Sequence, residues 1–172
     1  RYPERRVLVL DSLCASSGFG LFMDKLADLR DEGMDIDALY QWGLEHRLEV
    51  QHWFFSTDLS AYVRGGRISK AAGMFGGILG ICPLLNMNDA GKLIPREKIR
   101  SKKQAIRAIV DRMEQNAQGG LAYSGKCYIS QSACMDDAKA VAALVEARFP
   151  NLNGRVEINT IGTTIGSHTG PG

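Results

Sequence analysis

No two cysteines in this 172-residue sequence stand at CxxC spacing, and none of its three histidines lies at metal-ligand spacing from one. Cys14, Cys82, Cys127 and Cys134 are scattered singly, which excludes a disulfide framework or zinc site as the organising feature and points to a reducing, cytoplasmic home. Long apolar runs are missing as well. The nearest, residues 71–87, is interrupted by four glycines, Pro83 and Asn86, so stable membrane insertion is not expected. The start, Arg1 to Arg6, leads into too short an apolar stretch for a signal peptide. An excess of either charge is nearly absent: 21 Lys and Arg face 19 Asp and Glu, a net +2. That balance gives no chain-wide pull towards nucleic acid or an anionic membrane. The phosphate-binding patterns GxxxxGK[ST] and GxGxxG do not occur, nor does the nucleophile elbow GxSxG.

What remains is an ordinary globular composition, 45% hydrophobic and 23% charged, long enough for one full-sized domain or two small ones. Val7-Leu8-Val9-Leu10 reads as a buried strand of a parallel sheet. Ser16 or Ser17 caps a helix over about 19–32 that stops at Gly33, and a second helix covers 35–48. Near residue 49 the pattern changes, which places a domain junction there. Beyond it the spacing predicts a strand over 51–57, a short helix over 59–63, a helix from Ser69 to about Leu79, and a strand over 81–87. After the turn at 88–91 come extended pieces at 92–94 and 98–100. Ser101 caps a helix over 102–117. A strand at 127–130, a helix at 135–148 with Ala138, Val141, Ala142 and Val145 as its buried stripe, and a strand at 156–159 follow. The last dozen residues read as a Gly/Thr loop.

Glycine is the compositional outlier. Of 19 glycines, six fall in residues 65–80 and four in 162–172. The first cluster joins Arg64-Gly65-Gly66-Arg67-Ile68-Ser69 to a helix of small residues. Glycine inside a helix costs about 0.5–1 kcal/mol relative to alanine, so a compensating use is needed. Close packing of helix on sheet is one; a slot lined by Phe75, Ile78 and Leu79 for something long and apolar is the other. A second constellation is basic: residues 92–107 carry Lys92, Arg96, Lys98, Arg100, Lys102, Lys103 and Arg107 against Glu97 alone, a local excess of six. Most of these read as a solvated face. Arg100, where an extended segment meets a capped helix start, is placed to share an anion with that helix's free amides. The third is the ending Thr163-Thr164-Ile165-Gly166-Ser167-His168-Thr169-Gly170-Pro171-Gly172, a candidate backbone nest for an anion with His168 as a proton-responsive donor. His46 and His52 read as a helix-surface residue and a strand residue.

Taken in order with Leu10-Asp11-Ser12 and Ser17-Gly18-Phe19-Gly20, these three landmarks resemble the DegV family of bacterial fatty-acid-binding proteins over essentially the whole sequence. The resemblance implies a two-domain α/β fold: residues 1–48 as the C-terminal part of a first, parallel-sheet α/β domain, and residues 49–172 as a second α/β domain with a mixed, largely antiparallel sheet packed by helices. It implies one long-chain fatty acid held between the domains, with no cofactor, and presentation of its carboxylate to a separate fatty-acid kinase. Family members place an arginine and a histidine at the carboxylate end, matched here by Arg100 and His168, with Thr169 and Gly170 in the same loop. Ile68, Phe75, Ile78, Leu79 and Ile81 are the candidates for lining the acyl tunnel. The family also has a Ser-Gly-Thr segment earlier in the first domain and a strand beyond the final loop. Neither is matched, and neither Ser17-Gly18-Phe19 nor Thr57 takes the hydroxyl role, so the expectation is a piece of a longer protein.

The expectation is therefore a carrier and not an enzyme. The alternative is an enzyme acting on an acyl or phosphorylated substrate, with His168 as acid/base and Arg100 as anion clamp; it lacks a nucleophile. A nucleic-acid module using residues 92–107 is the weakest alternative, because no aromatic platform accompanies the basic run.

Overall fold

The computed structural model describes residues 3–73 and 81–172. Two sheets organise it. The first is antiparallel, in the order β1 (Trp53–Phe55), β2 (Cys82–Met87), β3 (Leu93–Ile99). The second is a parallel pair, β4 (Tyr128–Gln131) and β5 (Glu157–Thr160). The mixed α/β character expected from the sequence is present, with its antiparallel and parallel parts in separate sheets.

β2 is central and apolar: Cys82 to Leu85 are buried, as a strand covered on both faces requires. Pro83 lies one residue outside the β1 ladder, which starts at Leu84, a position where a missing N–H is tolerated. The two extended pieces expected around residue 95 are one continuous strand, β3, paired with β2 through a bulge at Leu84/Leu85. Their turn is made by Asn88, whose Oδ1 accepts from the Ala90 and Lys92 amides at 3.1 and 2.9 Å, and by Gly91 at φ +69°.

Side-chain caps start two of the helices. In α2 (Ile36–His46) the Asp35 carboxylate accepts from the Asp37 and Ala38 amides, both at 2.9 Å. In α5 (Lys102–Asn116) Ser101 Oγ accepts from Gln104 N at 3.2 Å. α6 (Met135–Arg148) buries Ala138, Val141, Ala142 and Val145, the stripe read from spacing. That stripe meets Val110, Phe149 and Val156 in the core cluster around the parallel pair. A smaller cluster, Leu59, Tyr62, Ile68 and Leu85, seats α3 (Ser60–Arg64) on the antiparallel sheet.

Three expectations fail. Neither Ser16 nor Ser17 caps the first helix: both lie inside it, Ser16–Asp31, and its N-cap is Ala15, with no side-chain cap bond. Val7 to Leu10 form no strand, and Val7 and Val9 are 80% and 83% exposed. A strand needs a neighbour for its backbone groups, and neither sheet pairs with this segment among the described residues. The final residues are not all loop: Thr163–Thr169 form a helix, α7. Threonines and Gly166 have poor helix propensity, but α7 packs against α3, and tertiary packing overrides propensity in so short an element. Of the helix expected after Ser69, α4 (Lys70–Gly73) is described; Phe75, Ile78 and Leu79 lie outside the described residues.

Candidate functional site

The carboxyl end of β4 is a hub. Ser130 Oγ accepts from Ser16 Oγ at 2.8 Å and from Ser17 N at 3.1 Å, so it ties the start of α1 (Ser16–Asp31) to the strand. Gln131, 5% exposed, bonds the end of β5 through Thr160 Oγ1 at 2.9 Å and accepts from Cys134 N, the α6 cap, at 2.9 Å. Ser132 exchanges two backbone hydrogen bonds with Gly172, both 2.8 Å. Open parallel α/β units bind ligands outside the carboxyl ends of their strands, and here that end gathers α1, α6, α7 and the last residues of the chain. Leu13, Ser16 and Ala133 hold φ of 53, 51 and 55°, a left-handed conformation uncommon outside glycine. All three lie on the segments that converge at this end.

The glycine-rich constellations meet. A β-carbon on Gly65, the residue that ends α3, would stand 2.8 Å from His168 Nδ1 and 3.1 Å from His168 O. Only a residue without a side chain lets α7 approach α3 this closely. Gly170, at φ +70°, lies against Ala61, and Gly172 against Ser56 Oγ. Ser56 itself is 1% exposed and donates to Asp58 O at 2.9 Å. The Arg64-to-Arg67 segment and the His168-to-Gly172 segment, a hundred residues apart, thus form one surface. His168 and Thr169 are half-buried, and the Thr169 hydroxyl donates to Ile165 O at 3.2 Å within α7. His168 makes no side-chain hydrogen bond among the described residues.

Arg100 is exposed and immediately precedes the Ser101 cap. It forms no ion pair and no hydrogen bond with His168 among the described residues. Its neighbour Lys102 is engaged by Asp137 at 2.9 Å. Ile68 is 4% exposed inside the α3 cluster and Ile81 is half-buried at the entry to β2. Among the described residues no group of three or more His, Cys, Asp or Glu could hold a metal, and no helix is long and apolar enough to cross a membrane.

Sequence reasoning missed His52. Its Nδ1 bonds Val50 O at 2.9 Å, leaving Nε2 to face the Ala15 amide at 3.4 Å. The ring lies on Gly18, and burial holds its pKa below the usual imidazole value, so it is neutral. The sequence carried no clear signal for it, since Gly18 stands just before the helix expected over 19–32. Lys126 was missed too: it bonds Asp24 and Asp28 of α1 at 2.6 and 3.1 Å, while Tyr128 OH donates to Asp24 at 2.7 Å. Nothing in local spacing links positions so far apart.

A family model described as an uncharacterised protein of the DegV family matches residues 1–172. A DegV domain-containing protein of Clostridium perfringens is 31% identical over 172 residues, covering 100% of this chain and 58% of its own length. A second, from Lactococcus lactis, is 29% identical over 171 residues, with 99% and 57% covered. The chain therefore spans less than three fifths of these curated relatives. Among solved structures, a DegV family protein from Thermus thermophilus described by its fatty acid binding is 27% identical with a TM-score of 0.82, covering 99% of this chain and 59% of that one. The fatty acid kinase B3 protein of Streptococcus pneumoniae, loaded with linoleic acid, and a Eubacterium eligens DegV family protein, loaded with heptadecanoic acid, both reach a TM-score of 0.86 over 99% of this chain and 59% of theirs. At 22% and 17% identity these two show the shared fold.

Proposed function

This chain belongs to the DegV family, and on that premise we propose that it forms part of a carrier that holds one long-chain fatty acid and presents its carboxylate to a separate fatty-acid kinase. The observation that carries the proposal is the contact of Gly65 with His168, which joins the Arg64-to-Arg67 segment to the histidine loop. A carboxylate taken out of water needs donors and a compensating cation. We assign His168, Thr169 and Gly170 to the head-group wall and Arg100 to its cation. Ile68, Phe75, Ile78, Leu79 and Ile81 line the acyl chain in this reading. Each buried methylene contributes about 0.8 kcal/mol, so a sixteen-carbon chain offers on the order of 10 kcal/mol before ordering costs. The fatty-acid binding described for the Thermus thermophilus relative supports the ligand class, and the Streptococcus pneumoniae relative's description as a fatty acid kinase B3 protein supports the partner.

Residues 1–48 belong to a first domain and 49–172 to a second, with the acyl chain between them, in the cytoplasm. The bonds from Ser16, Asp24 and Asp28 to Ser130 and Lys126 support a fixed relation between the two parts. The protein supplies no chemistry of its own: the kinase brings the nucleotide, and the carrier orients the carboxylate. Native mass spectrometry of the full-length protein from cells should show a co-purifying acyl mass. Absence of that mass, together with no uptake of added palmitate or oleate, overturns the proposal. Turnover of an acyl phosphate by the protein alone, lost in His168→Ala, would make it an enzyme instead.

A further inference from the structure

A cavity of about 140 Å³ opens where the α2–β1 connection meets the β2–β3 turn, away from the His168 loop. Its walls come from three separate stretches of chain. Gly91, at φ +69°, faces Leu13, which a β-carbon there would meet at 3.5 Å, and Arg47 Nη1 donates to Asp11 O at 2.9 Å, so the 11–13 segment lies between the end of α2 and the hairpin. Two guanidiniums line the cavity, Arg47 and Arg96, and neither has a carboxylate partner among the described residues. Arg47 spends one N–H on a neutral carbonyl, and Arg96 spends Nε on the neutral Asn86 Oδ1 at 2.7 Å. Of the five donors each guanidinium carries, most remain unused. The amides of Gln51 and Asn88 add neutral donors, His52 is neutral there, and Asp89 is the one acidic lining residue.

A pocket with two guanidiniums against one carboxylate suits a tetrahedral oxyanion, which accepts bidentate guanidinium hydrogen bonds. At about 140 Å³ the space is small, of a size for a phosphate carrying a few further heavy atoms. Asp89 accepts hydrogen bonds only, and therefore suits a ligand that carries hydroxyl groups beside its phosphate. We propose that this cavity is a second binding site, for a small hydroxylated phosphate monoester held between Arg47 and Arg96. It stands apart from the proposed acyl site and does not depend on it.

The test is isothermal titration calorimetry of the full-length protein in phosphate-free buffer, with inorganic phosphate and glycerol 3-phosphate as separate titrants. Saturable binding at one site is expected, tighter for glycerol 3-phosphate. Arg96→Gln, an exposed position outside the acyl site, should weaken it at least tenfold with an unchanged melting temperature, while Asp89→Asn tightens the binding of inorganic phosphate. Amide shifts of Gln51 and Asn88 on titration would locate the ligand. No saturable heat with either titrant up to millimolar concentration overturns the proposal, as does equal binding by wild type and the Arg96 variant. Should that variant fail to fold, equal binding by wild type and Arg47→Gln overturns it in the same way.

Discussion

The imidazole of His52 rests on the bare α-carbon of Gly18. A β-carbon on Gly18 would stand 2.5 Å from His52 Cδ2 and closer still to Nε2. One glycine in the first turn of α1 thus admits a half-buried ring that also receives the Ala15 amide and bonds Val50 O.

Gly18→Ala is expected to destabilise the protein by about 1–3 kcal/mol, the range for overpacking a fitted site, because the ring is fixed by its bond to Val50 and cannot swing aside. Gly20, two residues on, has nothing within 4 Å of its β-position. Gly20→Ala should stabilise by about 0.5–1 kcal/mol through helix propensity alone. Urea unfolding of both variants reads the two opposite signs.

His52 also sets a pH dependence. Burial depresses its folded pKa below the unfolded value, so between the two the unfolded chain binds the extra proton. The stability contributed by keeping this ring neutral is complete above about pH 6.5 and is lost as pH falls below it, at no more than about 1.4 kcal/mol per pH unit for one proton. Denaturation midpoints at pH 7.5 and 5.5 should differ, and His52→Gln should reduce the difference.

Gly65→Ala tests the meeting of the two glycine-rich segments. The β-carbon would press on His168 Nδ1 and on two backbone oxygens, His168 O and Ala61 O at 3.1 Å. Backbone cannot yield as a side-chain tip can, so α7 must shift. Palmitate affinity of the full-length protein, measured by fluorescent-analogue displacement, should fall about tenfold or more, in line with His168→Ala.

Lys126 joins α1 to the start of β4 through Asp24 and Asp28. Its ammonium and the Tyr128 hydroxyl hold the Asp24 carboxyl below the usual range. Lys126→Met should lower the unfolding midpoint, and Asp24→Asn in that background should add less than it does alone, because the two act on one network. The Asp24 contribution is present above the ordinary carboxylate pKa and lost in acid.

The thiols should separate by burial. Cys82 and Cys127 are each pushed up to about 11 by desolvation, which leaves almost no thiolate near neutrality. In native protein at pH 8 both should resist a disulfide reagent, and both should react on unfolding in guanidinium.

Local chemistry made much of the fold legible. Ser101 caps the helix its position announces, because a cap is a contact between near neighbours. The α6 stripe was readable because its period is that of one helix face. Val7 to Leu10 were misread because the same apolar run serves as a strand only where a partner strand lies beside it. The last residues were misread because α7 is held by α3 and not by its own propensity.

The sequence by itself determined the α/β class, most element positions and the family likeness, since these rest on periodicity, caps and motif order within short windows. Tertiary structure decided that Gly65 touches His168, that Gly18 seats His52, that Lys126 clasps α1, and that Arg47 and Arg96 share a cavity. Those facts depend on distances between residues tens to a hundred positions apart, which packing fixes and local composition does not encode.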